Sequence, residues 1–412
     1  MPAPLNSGRV EAEATAPRPS FGLSRLISPI DVKTFEKDFW EKKPLIIRRD
    51  SPDYYSDVLS LRDVDGILDS SSLRESDVRL VKAGRETAMS ELVTDDSDGR
   101  ATALEGLYER YRDGATVNLM FLHERWQPLG RLCRKLAAKL SCGVHGNVYL
   151  TPAGSQGLDP HYDTHDVFVM QLHGSKHWRL YEGRTPLPLQ SQGYRPPPEG
   201  AGEPVMEFDL HAGDLAYLPR GTVHAATANE ATSMHLTIGM VPVVWGAVLR
   251  DVLDAAMRRD VALREALPLG FARDDHLQQH VEERLAELFA GLGDSISWKE
   301  AVTDVSRRAL RRRQVALTGH LTDLEAIGSL DVVTSVRRRQ ELLWRQGRDS
   351  GQVFVEFHGK VLGFPGALEE ELEFIAKADA PFRGADLPGG LDDAGRLVLV
   401  GRLLREGFLT MA

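Results

Sequence analysis

The run Val167-Phe168-Val169-Met170-Gln171-Leu172-His173-Gly174-Ser175-Lys176-His177-Trp178-Arg179-Leu180-Tyr181 decides the fold class. Two apolar-rich stretches flank Gly174-Ser175, a dipeptide of the hairpin-turn type. Around them, Gly146–Leu150, Leu215–Leu218 and Met234–Met240 are further short runs rich in Val, Phe, Tyr and Leu, separated by Gly/Pro turns. Short strands at that spacing indicate an all-β sandwich or barrel over residues 143–242. Within it, the stretch Pro186 to Pro204 holds six prolines and is expected to be a surface loop.

The flanking sequence is patterned differently. Phe35, Phe39 and Trp40 sit at helical spacing, and Lys43-Pro44 is expected to end that helix. Leu45-Ile46-Ile47 reads as a short strand, and Leu59–Leu68 and Arg131–Leu140 as amphipathic helices. Helical periodicity returns over 243–330, as in Val248, Val252, Leu253 and Met257. Residues 331–412 read as a smaller α+β unit. Its strand is Gly351–Glu356, and its helices are Leu368–Lys377 and Arg396–Glu406, the second after a Leu391-Asp392-Asp393 start. The first twenty residues, rich in Ala, Pro, Ser and Glu, are expected to be a disordered leader. No internal repeat is present.

Composition narrows the function classes. At about 150 residues per domain, 412 residues make two or three domains. With 42% hydrophobic and 27% charged residues, the chain is of globular type. A net charge of −10 disfavours wrapping nucleic acid over the whole surface. Cys133 and Cys142 allow at most one bridge and exclude a zinc cluster of cysteines; this usage suits a reducing cytosol, and a cytoplasmic location is expected. The apolar stretch Val241–Leu249 falls far short of the ~20 residues of a membrane span.

Chemistry concentrates in the β region, where seven of the thirteen histidines lie between 161 and 235. In Pro160-His161-Tyr162-Asp163, residues i and i+2 of a strand share a face, so His161 and Asp163 point into the barrel and Tyr162 away. In Gly213-Asp214-x-x-x-x-Pro219-x-Gly221-x-x-His224, a Pro/Gly turn returns His224 to the same mouth. Two imidazoles and one carboxylate on one face make the facial triad of non-haem Fe(II) oxygenases. An isolated HxD is common by chance; its pairing with PxGxxH in a β region is what carries the reading.

On the strand after Gly174-Ser175, Lys176, Trp178 and Leu180 share a face, which should be the inner one. Lys176 is the only lysine between 140 and 298. An inward ammonium needs an anionic partner, and the distal carboxylate of 2-oxoglutarate would serve. A lysine that snorkels to the rim is the plainer alternative. Asn147 and Tyr149 share a face and could donate to a carboxylate or a substrate; the plainer alternative is ordinary core satisfaction of a buried Tyr hydroxyl. Ser233, His235 and Thr237 alternate with Met234, Leu236 and Ile238, and Thr237 is singled out as a further cosubstrate contact. His165 reads as a loop residue beside the site rather than a fourth ligand. His173, His177 and His211 read as rim or surface residues.

These residues together resemble the JmjC-type, cupin-like ribosomal oxygenases, which are Fe(II)- and 2-oxoglutarate-dependent protein hydroxylases. The likeness rests on Gly157–Tyr181 and Gly213–His224. It extends to Phe39–Ile47, which is similar to the family's N-terminal segment. It implies an α+β chain with a double-stranded β-helix (jelly-roll) core over 21–242, a helical dimerisation region over 243–330 and a winged-helix domain over 331–412. It implies iron on His161, Asp163 and His224, Lys176 on the 2-oxoglutarate tail, and Asn147, Tyr149 and Thr237 lining the cosubstrate or substrate pocket. The implied substrate is an Arg or His side chain of a ribosomal protein, and the implied assembly is a homodimer. Asp163 stands where many cupins have a second His, and no Glu follows at the usual offset. That favours the oxygenase triad over isomerase or storage cupins.

Three rivals remain at this point: a cupin oxygenase acting on a small molecule, a lysine demethylase sharing the triad, and a binding protein with a vestigial site. The clusters Arg307, Arg308, Arg311–Arg313 and Arg337–Arg339, Arg345, Arg348 read first as solvated, salt-bridged faces, and second as RNA contacts on a ribosomal particle. Glu369–Glu371 and Glu373 make the first helix of the C-terminal unit acidic, so direct DNA binding is not expected.

Overall fold

The alternation in 143–242 builds two facing antiparallel sheets. The structure is a computed structural model and describes residues 21–70, 74–87, 103–311, 317–339 and 342–412. The expected leader, 1–20, lies outside them. Before the barrel come α1 (Leu23–Leu26), α2 (Val32–Asp38), β1 (Leu45–Ile47), α3 (Leu61–Ser70), β2 (Val78–Lys82), β3 (Arg85–Thr87), α4 (Ala103–Arg112), β4 (Thr116–Leu119) and α5 (Gln127–Leu140). The barrel strands are β5 (Gly143–Thr151), β6 (Asp166–His173), β7 (Ser175–Tyr181), β8 (Met206–His211), β9 (Leu215–Leu218), β10 (Val223–Ala228) and β11 (Ser233–Val241). One sheet runs β1-β9-β6-β11-β5-β4-β2-β3; the other runs β10-β7-β8. This is a jelly roll. The 186–204 insertion carries neither helix nor strand, as expected.

Period-two patterning sorts the residues of each strand between two cores. Phe168 and Met170 of β6 and Met234, Leu236, Ile238 and Met240 of β11 face outward. They pack under the N-terminal helices, where Phe35, Leu129 and Leu136 are fully buried. Val167, Val169, Trp178, Leu180, Phe208, Leu210, Ala216 and Leu218 fill the space between the sheets. Each such Val, Leu or Phe side chain contributes about 1.5–3 kcal/mol by leaving water.

Two local expectations need correction. The helix at Phe35 ends at Asp38, not at Lys43-Pro44. The N–H groups of Phe39 and Trp40 both donate to Phe35 O, and Glu41 follows in the left-handed region at φ 56°. Trp40 then stacks on Tyr217 instead of continuing a helical face. The second correction concerns His161-Tyr162-Asp163. It is not a regular strand but an extended segment that touches β10 through an isolated bridge, His161 to His224.

After the barrel, α6 (Trp245–Arg259), α7 (Asp275–Ser295) and α8 (Trp298–Arg311) form the helical region. Next come α9 (His320–Ala326), β12 (Ser335–Arg338), β13 (Trp344–Asp349), β14 (Gln352–Phe357), β15 (Lys360–Pro365), α10 (Glu369–Lys377), β16 (Phe382–Arg383), α11 (Asp393–Arg405) and β17 (Leu409–Met411). They have their own core, in which Val336, Phe357, Ile375, Leu403 and Leu404 are fully buried. Asp392 caps α11 by accepting from Gly395 N–H at 2.8 Å, the start the sequence signals. Cys133 and Cys142 are both buried, and neither forms a disulfide. Among the described residues, no helix is long and apolar enough to cross a membrane.

Candidate metal centre and pocket

His161, Asp163 and His224 converge. One ligand atom from each lies within 4.8 Å of the others, and among the described residues this is the group of three or more His, Cys, Asp or Glu that could hold a metal ion. Backbone bonding explains the convergence. His161 N donates to His224 O at 3.1 Å, and His224 N donates back to His161 O at 2.8 Å. Gly221 N donates to Asp163 O at 3.0 Å, which ties the second motif to the first. Gly221 has φ +86°, and a Cβ there would lie 2.4 Å from Thr185 O, so only glycine suits this turn.

Each imidazole is oriented by its far nitrogen. His161 Nδ1 donates to Asp159 O at 2.7 Å, and His224 Nδ1 donates to Thr222 O at 2.9 Å. That leaves Nε2 of each ring facing the common centre, the arrangement found in metal-binding histidines. Burial, followed by the neighbouring His161, lowers His224 to about 4, so it is neutral at pH 7. Burial alone would raise the Asp163 carboxyl; the surrounding His224, His165, His161 and His145 outweigh it and hold Asp163 below its ordinary value. Two imidazoles and a carboxylate in this geometry fit a divalent first-row metal.

Lys176 lies on the inner face of β7 with Trp178 and Leu180, and is buried. Its ammonium donates to Thr151 Oγ1 at 3.0 Å, and no carboxylate pairs with it among the described residues. Burial lowers its pKa to about 7. The snorkelling alternative is thereby set aside. On β5, Asn147 and Tyr149 do share the inner face, but Asn147 Oδ1 is taken by Phe121 N–H at 2.9 Å. The Tyr149 hydroxyl shares hydrogen bonds with Asn118 and Thr237, and burial followed by Asp163 raises its pKa. Thr237 Oγ1 also lies 3.4 Å from Asn147 O.

His235 is the residue whose weight the sequence reading missed. The β11 alternation sets it on the inner face beside Ser233 and Thr237. In the structure, His235 stacks flat on Tyr149 at 4.8 Å and meets Trp178 edge-on at 5.5 Å, while Trp178 also lies 5.8 Å from His224. Burial, then Lys176, lowers the His235 pKa well below its ordinary value. The signal was there in the β11 alternation, but nothing ranked three polar positions on one face.

Asn118 Oδ1, Gln171 Oε1, Trp178 Nε1 and His235 Nδ1 are buried without a hydrogen-bond partner in the structure. Most buried polar atoms are satisfied, so four orphans around the inner face mark a ligand cavity rather than a finished core. Trp178 shares β7 with Lys176, Asn118 and His235 flank Tyr149 on the neighbouring strands β4 and β11, and Gln171 pairs with His235 across β6 and β11; together they suit a polar, anionic guest.

The remaining histidines fall as expected at the rim. His173 and His211 are exposed, and His177 bonds Asp209 and Glu207 on the outer face of β7. Tyr162 points away from the centre; its hydroxyl donates to Gln192 O and its ring meets Tyr194 at 5.1 Å, which anchors the proline-rich insertion beside the triad. The arginine clusters are largely ion-paired. Arg308 bonds Asp251, Arg339 bonds Asp323, Arg345 bonds Glu356 and Arg348 bonds Glu369. Arg312 and Arg313 lie outside the described residues.

Comparison with known proteins agrees with this geometry. The JmjC domain family matches residues 120–246. The chain is 36% identical over 311 residues to ribosomal oxygenase 2 of Mus musculus, covering 72% of this chain and 65% of that one. It is 30% identical over 398 residues to the bifunctional lysine-specific demethylase and histidyl-hydroxylase NO66 of Dictyostelium discoideum, covering 89% of this chain and 75% of that one. The chain thus spans just under two thirds of the mouse protein's length. In fold it is similar to YcfD, a ribosomal oxygenase from Escherichia coli, with a TM-score of 0.52, 17% identity and coverage of 93% and 98% of the two chains. A further structure of YcfD, with a TM-score of 0.50, is a complex with cobalt and 2-oxoglutarate. The chain therefore belongs to the JmjC-domain family of ribosomal oxygenases and NO66-type proteins.

Proposed function

We propose that this protein is an Fe(II)- and 2-oxoglutarate-dependent oxygenase that hydroxylates an arginine or histidine side chain of a ribosomal protein. The observation that carries the reading is a single barrel holding two complementary features. A two-His, one-carboxylate triad converges on one of its walls, and a buried ammonium without a carboxylate partner among the described residues lies on the inner face of β7. A dicarboxylate with a keto-acid end matches both. The YcfD complex with cobalt and 2-oxoglutarate supports that choice, and the names of the relatives support the substrate class.

In this reading His161, Asp163 and His224 would hold the metal, and three protein ligands would leave room for a cosubstrate. Bound iron with 2-oxoglutarate supplies the O₂-dependent chemistry that places an oxygen on a C–H bond. The chain's own residues bind and orient. Lys176, steadied by Thr151, pairs with the distal carboxylate, and Thr116 extends the hydroxyl chain through its 3.1 Å bond to Thr151. Asn147, Tyr149, Thr237 and His235 line the cosubstrate cavity. Trp178 lies between His224 and His235 and helps keep water from that space. No side chain has to act as a general base.

The same proposal assigns 21–242 to catalysis, 243–330 to a dimer interface and 331–412 to a winged-helix-like unit, in a cytoplasmic protein. The dimer is supported by α7, which spans 21 residues with none of its described side chains buried. Phe289 is 79% exposed there, and Trp245 on α6 is 86% exposed. A polar-and-apolar helix of this kind needs a partner to cover it. The winged-helix reading is supported by α10 and α11 packed with the small sheet β16-β12-β17.

The test is O₂-dependent succinate release by the iron-loaded protein with ribosomal-protein peptides, for the wild type and His161→Ala. The expected result is release by the wild type only, with one oxygen gained on an Arg or His. Absence of succinate from the iron-loaded wild type, with every peptide, overturns the proposal.

A further inference from the structure

We propose that Gly157 is a positioning residue. Pressed against Thr116 by the β2–β3 turn, it sets the pair of threonine hydroxyls that holds the Lys176 ammonium, and through them the pocket's grip on a distal carboxylate. The inference rests on the oxygenase reading and deepens its cosubstrate end.

The chain between β5 and β6 lies along the edge of β10. Two isolated bridges pin it there, Gln156 to Thr227 and His161 to His224. Five residue steps on this segment face three on β10, so two extra residues bulge. Leu158 and Asp159 are exposed, while Gly157 is buried. The segment reaches both halves of the site. At the metal end, Asp159 O accepts from His161 Nδ1 at 2.7 Å. At the lysine end, Ser155 O accepts from Ala228 N–H at 2.9 Å, and Ala228 is the residue of β10 opposite Lys176.

Contact carries the effect inward. A Cβ at Gly157 would lie 2.7 Å from Thr116 Oγ1, 2.9 Å from its Cβ and 3.4 Å from its Cγ2. The Gly157 backbone is not left-handed, so space alone demands glycine here. Thr116 Oγ1 bonds Thr151 Oγ1 at 3.1 Å, and that second oxygen accepts from Lys176 Nζ at 3.0 Å. Thr116 and Thr151 are both buried, so a displaced hydroxyl has only packed neighbours to move against.

The segment cannot yield outward. Ala83 and Gly84 form the two-residue turn of the β2–β3 hairpin, both left-handed, at φ 47° and 74°. Their N–H groups donate to Gln156 O at 3.2 Å and Gly157 O at 2.8 Å. A Cβ at Gly84 would lie 2.0 Å from Asp159 Oδ2, so the turn sits directly on the bulge. On the other flank, the Gln156 side-chain amide donates to Leu158 O at 3.3 Å. Its oxygen accepts from Arg179 at 3.1 Å and from Thr227 at 3.3 Å. A segment held by a hairpin on one side and by β7 and β10 on the other acts as a strut, and Gly157 is where it bears on Thr116.

The experiment uses the full chain saturated with Mn(II). The probes are 2-oxoglutarate and 2-oxopentanoate, the same carbon chain without the distal carboxylate. Binding is read from the water-proton relaxation of the bound Mn(II). The wild type should prefer 2-oxoglutarate by about tenfold or more, the effect of one hydrogen bond to a charged group. Gly157→Ala should lose most of that preference by weakening 2-oxoglutarate alone, whereas damage to the fold or the metal site would weaken both probes together. Thr116→Gly removes all three atoms that a Cβ at 157 would meet. It should lower the preference by a similar factor, and adding Gly157→Ala to it should cost nothing more. Circular dichroism and thermal melting establish that each variant is folded. Should Gly157→Ala alone not fold, the double variant must fold and bind as Thr116→Gly does, or the inference is overturned. A preference kept in folded Gly157→Ala, an equal loss for both probes, or additive losses in the double variant also overturns it. No 2-oxoglutarate binding by the Mn(II)-loaded wild type refutes the oxygenase reading itself, and this inference with it.

Discussion

The ammonium of Lys176 lies 3.0 Å from the hydroxyl oxygen of Thr151, buried inside the barrel, and pairs with no carboxylate among the described residues. Burial lowers it from an ordinary 10.5 to about 7. Between about pH 7 and 10.5 the unfolded chain therefore binds a proton that the folded protein does not. Stability of the cosubstrate-free protein should rise with pH across that window, relative to Lys176→Met. Affinity for 2-oxoglutarate should move the other way. It should fall as pH rises above about 7, approaching tenfold per unit, because the anion needs the charged lysine. Calorimetric titration at several pH values checks both the slope and its loss in Lys176→Met.

A metal bound by the triad should stabilise the fold by mass action. At a free concentration one hundred times Kd the gain is about 2.7 kcal/mol. Mn(II) should raise the melting temperature of the wild type and leave His161→Ala unmoved. An equal rise in both would place the metal elsewhere.

The pair Arg220–Asp166 should matter for both fold and metal. The two side chains bond at 2.9 Å, almost wholly buried, and Arg220 also bonds Glu41 while Tyr217 donates to Asp166. Arg220 precedes Gly221, whose N–H holds Asp163 O. Arg220→Met strands a buried carboxylate and should cost about 3–5 kcal/mol near pH 7. Burial already holds Asp166 above its ordinary value despite its bonds to Tyr217 and Arg220, so it should take up a proton more readily in the variant. The loss should therefore shrink toward pH 5. Urea titrations at the two pH values, with Mn(II) affinity measured alongside, test this.

The uncovered face of the helical region gives a fourth expectation. Phe289→Glu should convert a dimer into a monomer in light scattering while the far-ultraviolet circular dichroism is kept. A monomeric wild type at every concentration would contradict the assigned interface.

Much of this was legible in the residues, for identifiable reasons. The β6–β7 hairpin announces itself because Gly174-Ser175 separates two strongly apolar runs, and Lys176 follows from strict alternation with Trp178 and Leu180. The convergence of His161, Asp163 and His224 was legible because the three sit in two short motifs with glycine and proline at the turns. Strands β2, β3, β4, β8 and β10 went unread. They are short or mixed in polarity, as in Met206–His211 and Val223–Ala228, and owe their form to neighbours in the sheet rather than to their own pattern. The helix at Phe35 was read too long because Trp40 fits helical spacing yet stacks on Tyr217, distant in sequence. Gly157 and Thr116 could not be joined from sequence. Their contact depends on the register that pins Gln156 to Thr227 and His161 to His224, and register is a property of paired strands.

The central claim is that one barrel holds a metal on His161, Asp163 and His224 and 2-oxoglutarate between that metal and Lys176. Its most direct test is anaerobic titration of the Fe(II)-loaded protein with 2-oxoglutarate, followed by calorimetry and visible absorption. The account predicts one site per chain in the wild type, a large loss of affinity in Lys176→Met with iron still bound, and no iron-dependent binding in His161→Ala. Equal affinity in wild type and Lys176→Met, or no binding at all by the iron-loaded wild type, would contradict it.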